Sequence, residues 1–431
     1  MKYTEKEIKK GIKLHTIETE KFKTNLLAIF ITMPITRENV TLNALLSAVI
    51  RRGSTNMPTS LEINKQLEEM YGATFDNGID KIGDNHVLKF YLETVNDNFI
   101  PQSDENMLKT GLEKLLEIVF NPIVESNHFK EEYVKQEKEN IKRIIQAKSD
   151  NKARYALDRC IEEMYKGKQY GLYKYGYIED LEEIDAEKLY KYYQKVISES
   201  KIDIFISGKI DENISKLLEE NENIKRLAER EPKYIINDNE KKTDVKENEV
   251  IEKMDVTQGK IVIGMDLNIQ NEEQKYDTIV YNAILGGTAN SKMFQEVREK
   301  ASLAYTAGSS YLKYKNNIFI KCGIEIKNYS KAMSIIRKQL EDMKNGVFSE
   351  EDIQNAKKGI ISGIRSIDDE QDTEISYFFG QELTNNKITL EKYIENIENV
   401  KKENIIKIAN LVQINTVYFL RNNENQQKEE N

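Results

Sequence analysis

The chain repeats its own order of parts once, at a period of about half its length. From Leu26 the apolar run LLAIFITMPI reads as a strand, and TLNALLSAVIRRGS follows with apolar residues at helical spacing and Gly53 as a stop. SLEINKQLEEM is the next helix. ATFDNGIDKIGDNHVLKFYLETV is then a strand pair whose KIGDN has the Gly/Asp/Asn chemistry of a hairpin turn. From Lys260 the order recurs: the strand KIVIGMDLNI, the helix YDTIVYNAILGG closed by Gly286 and Gly287, the helix SKMFQEVREK with Ser291 as its N-cap, and a strand pair turning at KYKNN. Each half continues with an apolar-faced helix, GLEKLLEIVFN or KAMSIIRKQLEDMKNG, and a long charged one, FKEEYVKQEKENIKRIIQAK or SEEDIQNAKKGIISGIRSI. Each then closes on a helical stretch and a short strand, KIDIFISG or INTVYFLR. Such agreement in order is the mark of a duplication.

The fold class that follows is α+β, two homologous α/β halves, each a mostly antiparallel sheet flanked by helices. The expected division is 1–209 and 257–423, joined by a charged connector over 210–256 and ended by a disordered tail, 424–431. The connector is polar and poor in aromatics, which favours a linker or partly helical segment over a core element.

Composition narrows the function classes. With 431 residues, 39% of them hydrophobic, the chain has enough apolar surface for more than one core. A net charge of −9, with Lys and Arg interleaved among Glu, argues against a nucleic-acid partner. The two cysteines, Cys160 and Cys322, are far apart and make neither a disulfide framework nor a thiolate zinc site. No apolar run reaches membrane-spanning length, and the first residues lack the apolar segment of a signal peptide, so a soluble cytoplasmic protein with no membrane partner is expected. Abundant Lys, Ile, Asn and Glu suggests a low-GC bacterial source.

GGTANSKMFQEVREKASLAYTAGSSY is the most informative stretch. Its Gly-Gly turn, Met-Phe pair, Arg-Glu-Lys and Leu-Ala-Tyr resemble, in this order, the second half of the pitrilysin/insulinase family of inverted zinc peptidases. The resemblance extends over nearly the whole chain, since that family is itself built of two such halves. It implies that the halves face each other as a clam-like chamber, with an extended peptide adding to the sheet edge at Gly72-Ala73-Thr74-Phe75.

In that family an Arg and a Tyr seven residues apart grip the substrate, and the matching positions are Arg298 and Tyr305. A guanidinium can donate to a peptide carbonyl, and a phenol can donate to the oxyanion formed as water attacks. Alone, the pair would be a solvated helix residue and a strand residue over a core. The surrounding match is what gives it a role.

The first half departs from the family where zinc should bind. Active members carry H-x-x-E-H on the first helix and a later helical Glu. Aligned on Arg52-Gly53, that motif falls on Ala44, Leu45, Leu46, Ser47 and Ala48, and the later Glu falls on Arg143 or Ile144. None of Ala44, Ser47 and Ala48 can replace the imidazoles and carboxylate. The three histidines do not compensate: His15 lies ahead of the first strand, His86 in the first hairpin and His128 in a loop, and they read as surface or packing residues. Gly286-Gly287 lacks the Gly-Lys-Ser/Thr of a phosphate loop, and the clusters Glu179-Asp180 and Asp368-Asp369-Glu370 read as exposed helix ends.

Loss of the zinc ligands with the Arg/Tyr pair kept resembles the non-catalytic subunit of a two-chain peptidase. The implied partner is a zinc-bearing insulinase-like paralogue, the implied substrate a peptide or small protein, and zinc is expected in the partner only. A scaffold subunit, like the peptidase-derived core subunits of respiratory complexes, and an independent enzyme of other chemistry are the competing readings. GSTN, INKQLEEMYGATFDN and DNKARYALDR look closest to zinc-less proteins associated with 5-aminopentanol modification of elongation factor P. A related pair processes bacteriocin-type peptides.

Overall fold

A computed structural model describes residues 2–101, 106–235 and 246–423. The tail expected over 424–431 lies outside the described residues. Contacts divide the chain into two compact units. The first comprises Met1–Ala147, Leu172–Ile236 and Ile367–Asn385, the second Lys148–Gly171, Asn237–Ser366 and Asn386–Asn431.

The first unit holds a six-stranded sheet. Its strands are β1 (Lys2–Lys9), β2 (Ile12–Glu18), β3 (Thr24–Pro34), β4 (Thr74–Ile82), β5 (Asn85–Val95) and, after the two-residue strands β6 (Val124–Glu125) and β7 (His128–Phe129), β8 (Lys201–Gly208). They lie in the order β1-β2-β8-β3-β5-β4, antiparallel except for β2 beside β8. The second unit holds β9 (Asn248–Lys253), β10 (Gly259–Leu267), β11 (Ala304–Leu312), β12 (Asn317–Ile324) and β13 (Val412–Arg421), in the order β11-β12-β10-β13-β9. Only β13 beside β9 is parallel. Superposed by role, β4-β5-β3-β8-β2 and β11-β12-β10-β13-β9 are one topology, and β1 is the addition. The duplication is therefore visible in strand order, hairpins and the single parallel pairing alike.

Two segments depart from the sequence expectation. His15 does not precede the first strand but sits within β2, whose IKLHTIE runs parallel to β8. The stretch expected as a connector contributes Ile214, Leu218, Ile224 and Leu227 to the first unit's core and β9 to the second unit's sheet. Apolar residues four apart at Ile214 and Leu218 and three apart at Ile224 and Leu227, set among charges, are enough to seat its two short helices.

The units also exchange helices along the chain. Lys152–Met164, from the first half of the sequence, lies on the second sheet, where Cys160 and Met164 crowd Gly264 so closely that an added Cβ would meet Met164 Sδ at 2.9 Å. Glu252 on β9 anchors it, accepting from Arg159 Nε (3.0 Å), Tyr155 (2.5 Å) and Tyr418 (2.8 Å). Gln371–Thr384, from the second half, covers the first sheet, burying Ile375, Phe378, Phe379 and Leu383 against Ala28, Phe30, Val87 and Phe205.

Polar groups fix the register of this second helix. At its start Gln371 donates to Ser207 O (2.7 Å), and Ser207 Oγ donates to Glu374 Oε2 (2.8 Å). Near its end Glu382 accepts from Lys13 (2.7 Å) and lies 3.2 Å from Lys201, which also pairs with Asp203. Asp203 in turn bonds His15 Nε2 at 3.0 Å. No described helix is long and apolar enough to cross a membrane.

Candidate functional site

The helix Val40–Ile50 carries the positions that match the zinc-ligand motif of active family members. Ala44 and Ser47 are buried, and Ala48 is partly so. Ser47 is held by β4: Asn77 Nδ2 donates to Ser47 O and Oγ, both at 2.9 Å. Asn43, one residue before Ala44, accepts from Tyr192 OH (2.6 Å) and bonds His86 Nδ1 (3.0 Å). Burial pulls His86 down to about 3, which keeps it neutral and marks it as a packing histidine. The later ligand position also fails, because Arg143 and Ile144 lie on the exposed face of the helix Glu131–Gln146. The buried acid of that helix is Glu137, which Arg52 pairs at 3.2 Å. The residues at this site do not fit a zinc ion, since a four-coordinate site needs donors these side chains lack.

One other cluster, Glu5, His15 and Glu382, brings ligand atoms within 4.8 Å of one another. Its donor set is already satisfied. His15 Nδ1 bonds Tyr3 OH at 2.8 Å and Nε2 bonds Asp203, while Glu382 meets two lysine ammoniums. Two cations beside an imidazole with both nitrogens engaged make a structural network.

Arg298 and Tyr305 lie on adjoining elements of the second unit. The helical turn after Gly286-Gly287 is wound wide, as a π-helix over Met293–Lys300, and Arg298 falls in its last turn. Its guanidinium is half-exposed, stacked 4.7 Å from the centre of the Phe294 ring and 3.6 Å from Glu299. Leu303 N–H donates back to Val297 O (3.1 Å) and, with Ser302 at φ 51°, turns the chain into β11. Tyr305 stands on that edge strand where the register slips between Ala304 and Thr306. A bulge re-aims the residue it carries, and Tyr305 is 56% exposed.

Ser291 does not cap this helix as expected. It is buried, its Oγ has no hydrogen-bond partner, and the N-cap position falls on Lys292. Gly286 has a steric role, since a Cβ there would stand 2.4 Å from Ser309 N, so only glycine lets the preceding turn lie on β11.

The remaining candidates are inert. Burial pushes the thiols of Cys160 and Cys322 up to about 12, far from the thiolate a nucleophile needs. His128 is half-buried, with Nδ1 at 2.8 Å from Phe129 O. Asp369 is exposed and Asp368 partly so, and both meet Lys21, while Asp180 pairs with Arg37. Sequence reasoning missed the Lys13–His15–Lys201–Asp203–Glu382 network and the buried Arg230. The first had a signal, charged residues alternating within apolar strands, and the second had none.

Similarity to known proteins agrees with this geometry. The family described as Peptidase M16 inactive domain matches residues 183–360. The chain is 37% identical over 420 residues to the "Probable inactive metalloprotease YmfF" of Bacillus subtilis (strain 168), covering 96% of both chains. It is similar in structure to a conserved protein from Enterococcus faecalis V583, with a TM-score of 0.87 and 27% identity over 98% of this chain and 99% of that one. A Peptidase M16 inactive domain from Pseudomonas fluorescens shares the fold at a TM-score of 0.78 and 14% identity, covering 98% of this chain and 99% of that one.

Proposed function

The chain belongs to the M16 peptidase family, the pitrilysin/insulinase lineage, as an inactive-type member, and from that premise we propose that it is the non-catalytic subunit of a zinc-peptidase heterodimer. The partner is a zinc-bearing paralogue of the same fold, and the substrate is a peptide or small protein. The zinc held by the partner supplies the Lewis acid and the activated water. This chain supplies Arg298, which donates to a main-chain carbonyl of the substrate, and Tyr305, whose phenol donates to the developing oxyanion.

The observation that carries this reading is a contrast between the two halves. The helix Val40–Ile50 has lost every ligand-type side chain at the zinc positions, while Tyr305 stands exposed on a bulge of an edge strand. A phenol packed as filler would be expected in a core. Its exposure on an unpaired edge supports a role in contact rather than in packing.

The test is purification of the chain with whatever it binds in its own organism, zinc analysis of the complex, and peptide turnover by the complex and by each chain alone. Turnover confined to the mixed complex supports the proposal. Full turnover by the zinc-bearing chain alone leaves this chain as a scaffold.

A further inference from the structure

A cavity in the first unit is built beside a positive charge with nothing to pair it. The Arg230 backbone N–H donates to Lys10 O (3.1 Å), and the side-chain stem lies on Gly11, where an added Cβ would come within 2.6 Å of Arg230 Cγ. Gly11 has φ +80°, so a larger residue there would be both strained and obstructed. Fixed in this way, Arg230 is only 6% exposed. Its Nη2 donates to Ile197 O at 2.9 Å, while Nε and Nη1 are buried with no hydrogen-bond partner. Among the described residues no carboxylate pairs with it. Burial lowers its pKa only to about 10, so it stays charged at neutral pH.

Buried guanidinium groups are normally paired, because desolvating the charge is otherwise uncompensated. Here the same side chain lines a cavity of about 860 Å³, within the size range of small-molecule sites. Met33, Pro34, Leu42 and Val196 give it apolar wall, and Lys195 and Lys233 add further positive charge. The helix Val40–Ile50 begins on it through Asn39, with no acidic residue in its first turn, although Glu38 stands just ahead of the cap. Three acids also lie on the lining, Glu38, Glu199 and Glu231; Glu231 is already paired with Lys10, and none of the three pairs with Arg230.

We propose that this cavity binds a small organic anion, a carboxylate or phosphate monoester on an apolar body, which takes up the donors that Arg230 leaves unused. Because Nε and Nη1 are buried, reaching them requires the guanidinium to swing off Ile197 O, and the apolar wall receives the body of the ligand. The site is independent of Arg298 and Tyr305, which belong to the other unit, so it is a ligand site separate from peptide gripping.

The chain contains no tryptophan, so Ser198→Trp at the cavity lining introduces a single fluorescent reporter without changing the charge of the lining. Decanoate, decyl phosphate, decanol and decyltrimethylammonium are titrated against the full-length reporter chain. One of the two anions should saturate a single site well ahead of decanol, with no response to the cation, and their ranking separates carboxylate from phosphate. Arg230→Gln in the same background should weaken the anion about tenfold or more and leave decanol unchanged. Equal affinity for anion and alcohol, no saturable response to either anion, or an Arg230→Gln variant that binds as before would overturn the proposal. Should Arg230→Gln fail to fold, the anion-against-alcohol comparison with Arg230 intact still decides it.

Discussion

Replacing Lys201 by Met puts the covering of the first sheet to a quantitative test. The ammonium lies between Asp203 and Glu382, which are 0% and 4% exposed. Removing it takes away the ammonium shared by both, while His15 Nε2 stays at 3.0 Å from Asp203 and Lys13 at 2.7 Å from Glu382. A surface pair lost in this way would cost about 0–1 kcal/mol. Breaking a buried pair costs about 3–5 kcal/mol, because the surviving charge stays desolvated. With a urea dependence of about 2–3 kcal/mol per molar, the midpoint of the first unit should fall by about 1–2.5 M.

The pH dependence carries the signature. Burial alone would raise both carboxyls; Lys201, with His15 beside Asp203 and Lys13 beside Glu382, brings both below the usual carboxylate range. Their contribution to the native chain is thus complete above the unfolded pKa of about 4 and is lost as pH falls through the lowered folded values. In the variant, burial without the ammonium raises the folded values, so its stability increases as pH falls from 7 toward 5. The gap between the two proteins should narrow over that window. Urea unfolding followed by circular dichroism, with limited proteolysis to assign the transition to the first unit, measures both effects. A cost below about 1 kcal/mol at pH 7, or a gap equally wide at pH 5, would refute the reasoning.

In the mixed complex, Tyr305→Phe should lower kcat by about 10²–10³ with little change in KM, and Arg298→Ala should raise KM as well. Steady-state kinetics check both, and turnover within about twofold of native for each would make the pair a relic. Ala44→His, Ser47→Glu and Ala48→His together should not create a tight zinc site, because Arg143 and Ile144 leave the fourth position without a ligand; metal analysis after dialysis against a chelator reads this directly. Gly286→Ala should destabilise the second unit by about 1–3 kcal/mol through overpacking against β11, which denaturant unfolding will show.

The duplication was legible because each strand, helix and turn carries its own local signal. Hairpins at Gly83-Asp84 and Asn316-Asn317 announce themselves by turn chemistry, and the helix at Glu350 by its Ser349/Asp352 capping box. β9 was hidden because an edge strand buries little: NEVIEK leaves most of its side chains in water and reads as linker. β2 was hidden for another reason, since its Lys13 and His15 look unsuited to a sheet interior until Asp203 and Glu382 are seen opposite. Which sheet a helix covers is a long-range fact, and nothing within Lys152–Met164 or Gln371–Thr384 states it. For the candidate site, the absent zinc ligands and the positions of Arg298 and Tyr305 came from pattern. The π-helical turn and the bulge that orient them came only from the structure.

The exchanged helices set a timetable for synthesis. By the time β8 leaves the ribosome, every strand of the first sheet has been made, yet Phe30, Val87 and Phe205 have no cover until Gln371–Thr384 follows. At typical bacterial and eukaryotic elongation speeds that interval is roughly 9–35 s. Throughout it the nascent chain presents an aromatic sheet face to the cell, and a chaperone or an early-docking partner would find its natural moment there. For the same reason, expressing either half alone by cutting at the connector should give aggregating material, because each fragment carries away the helix that the other one needs.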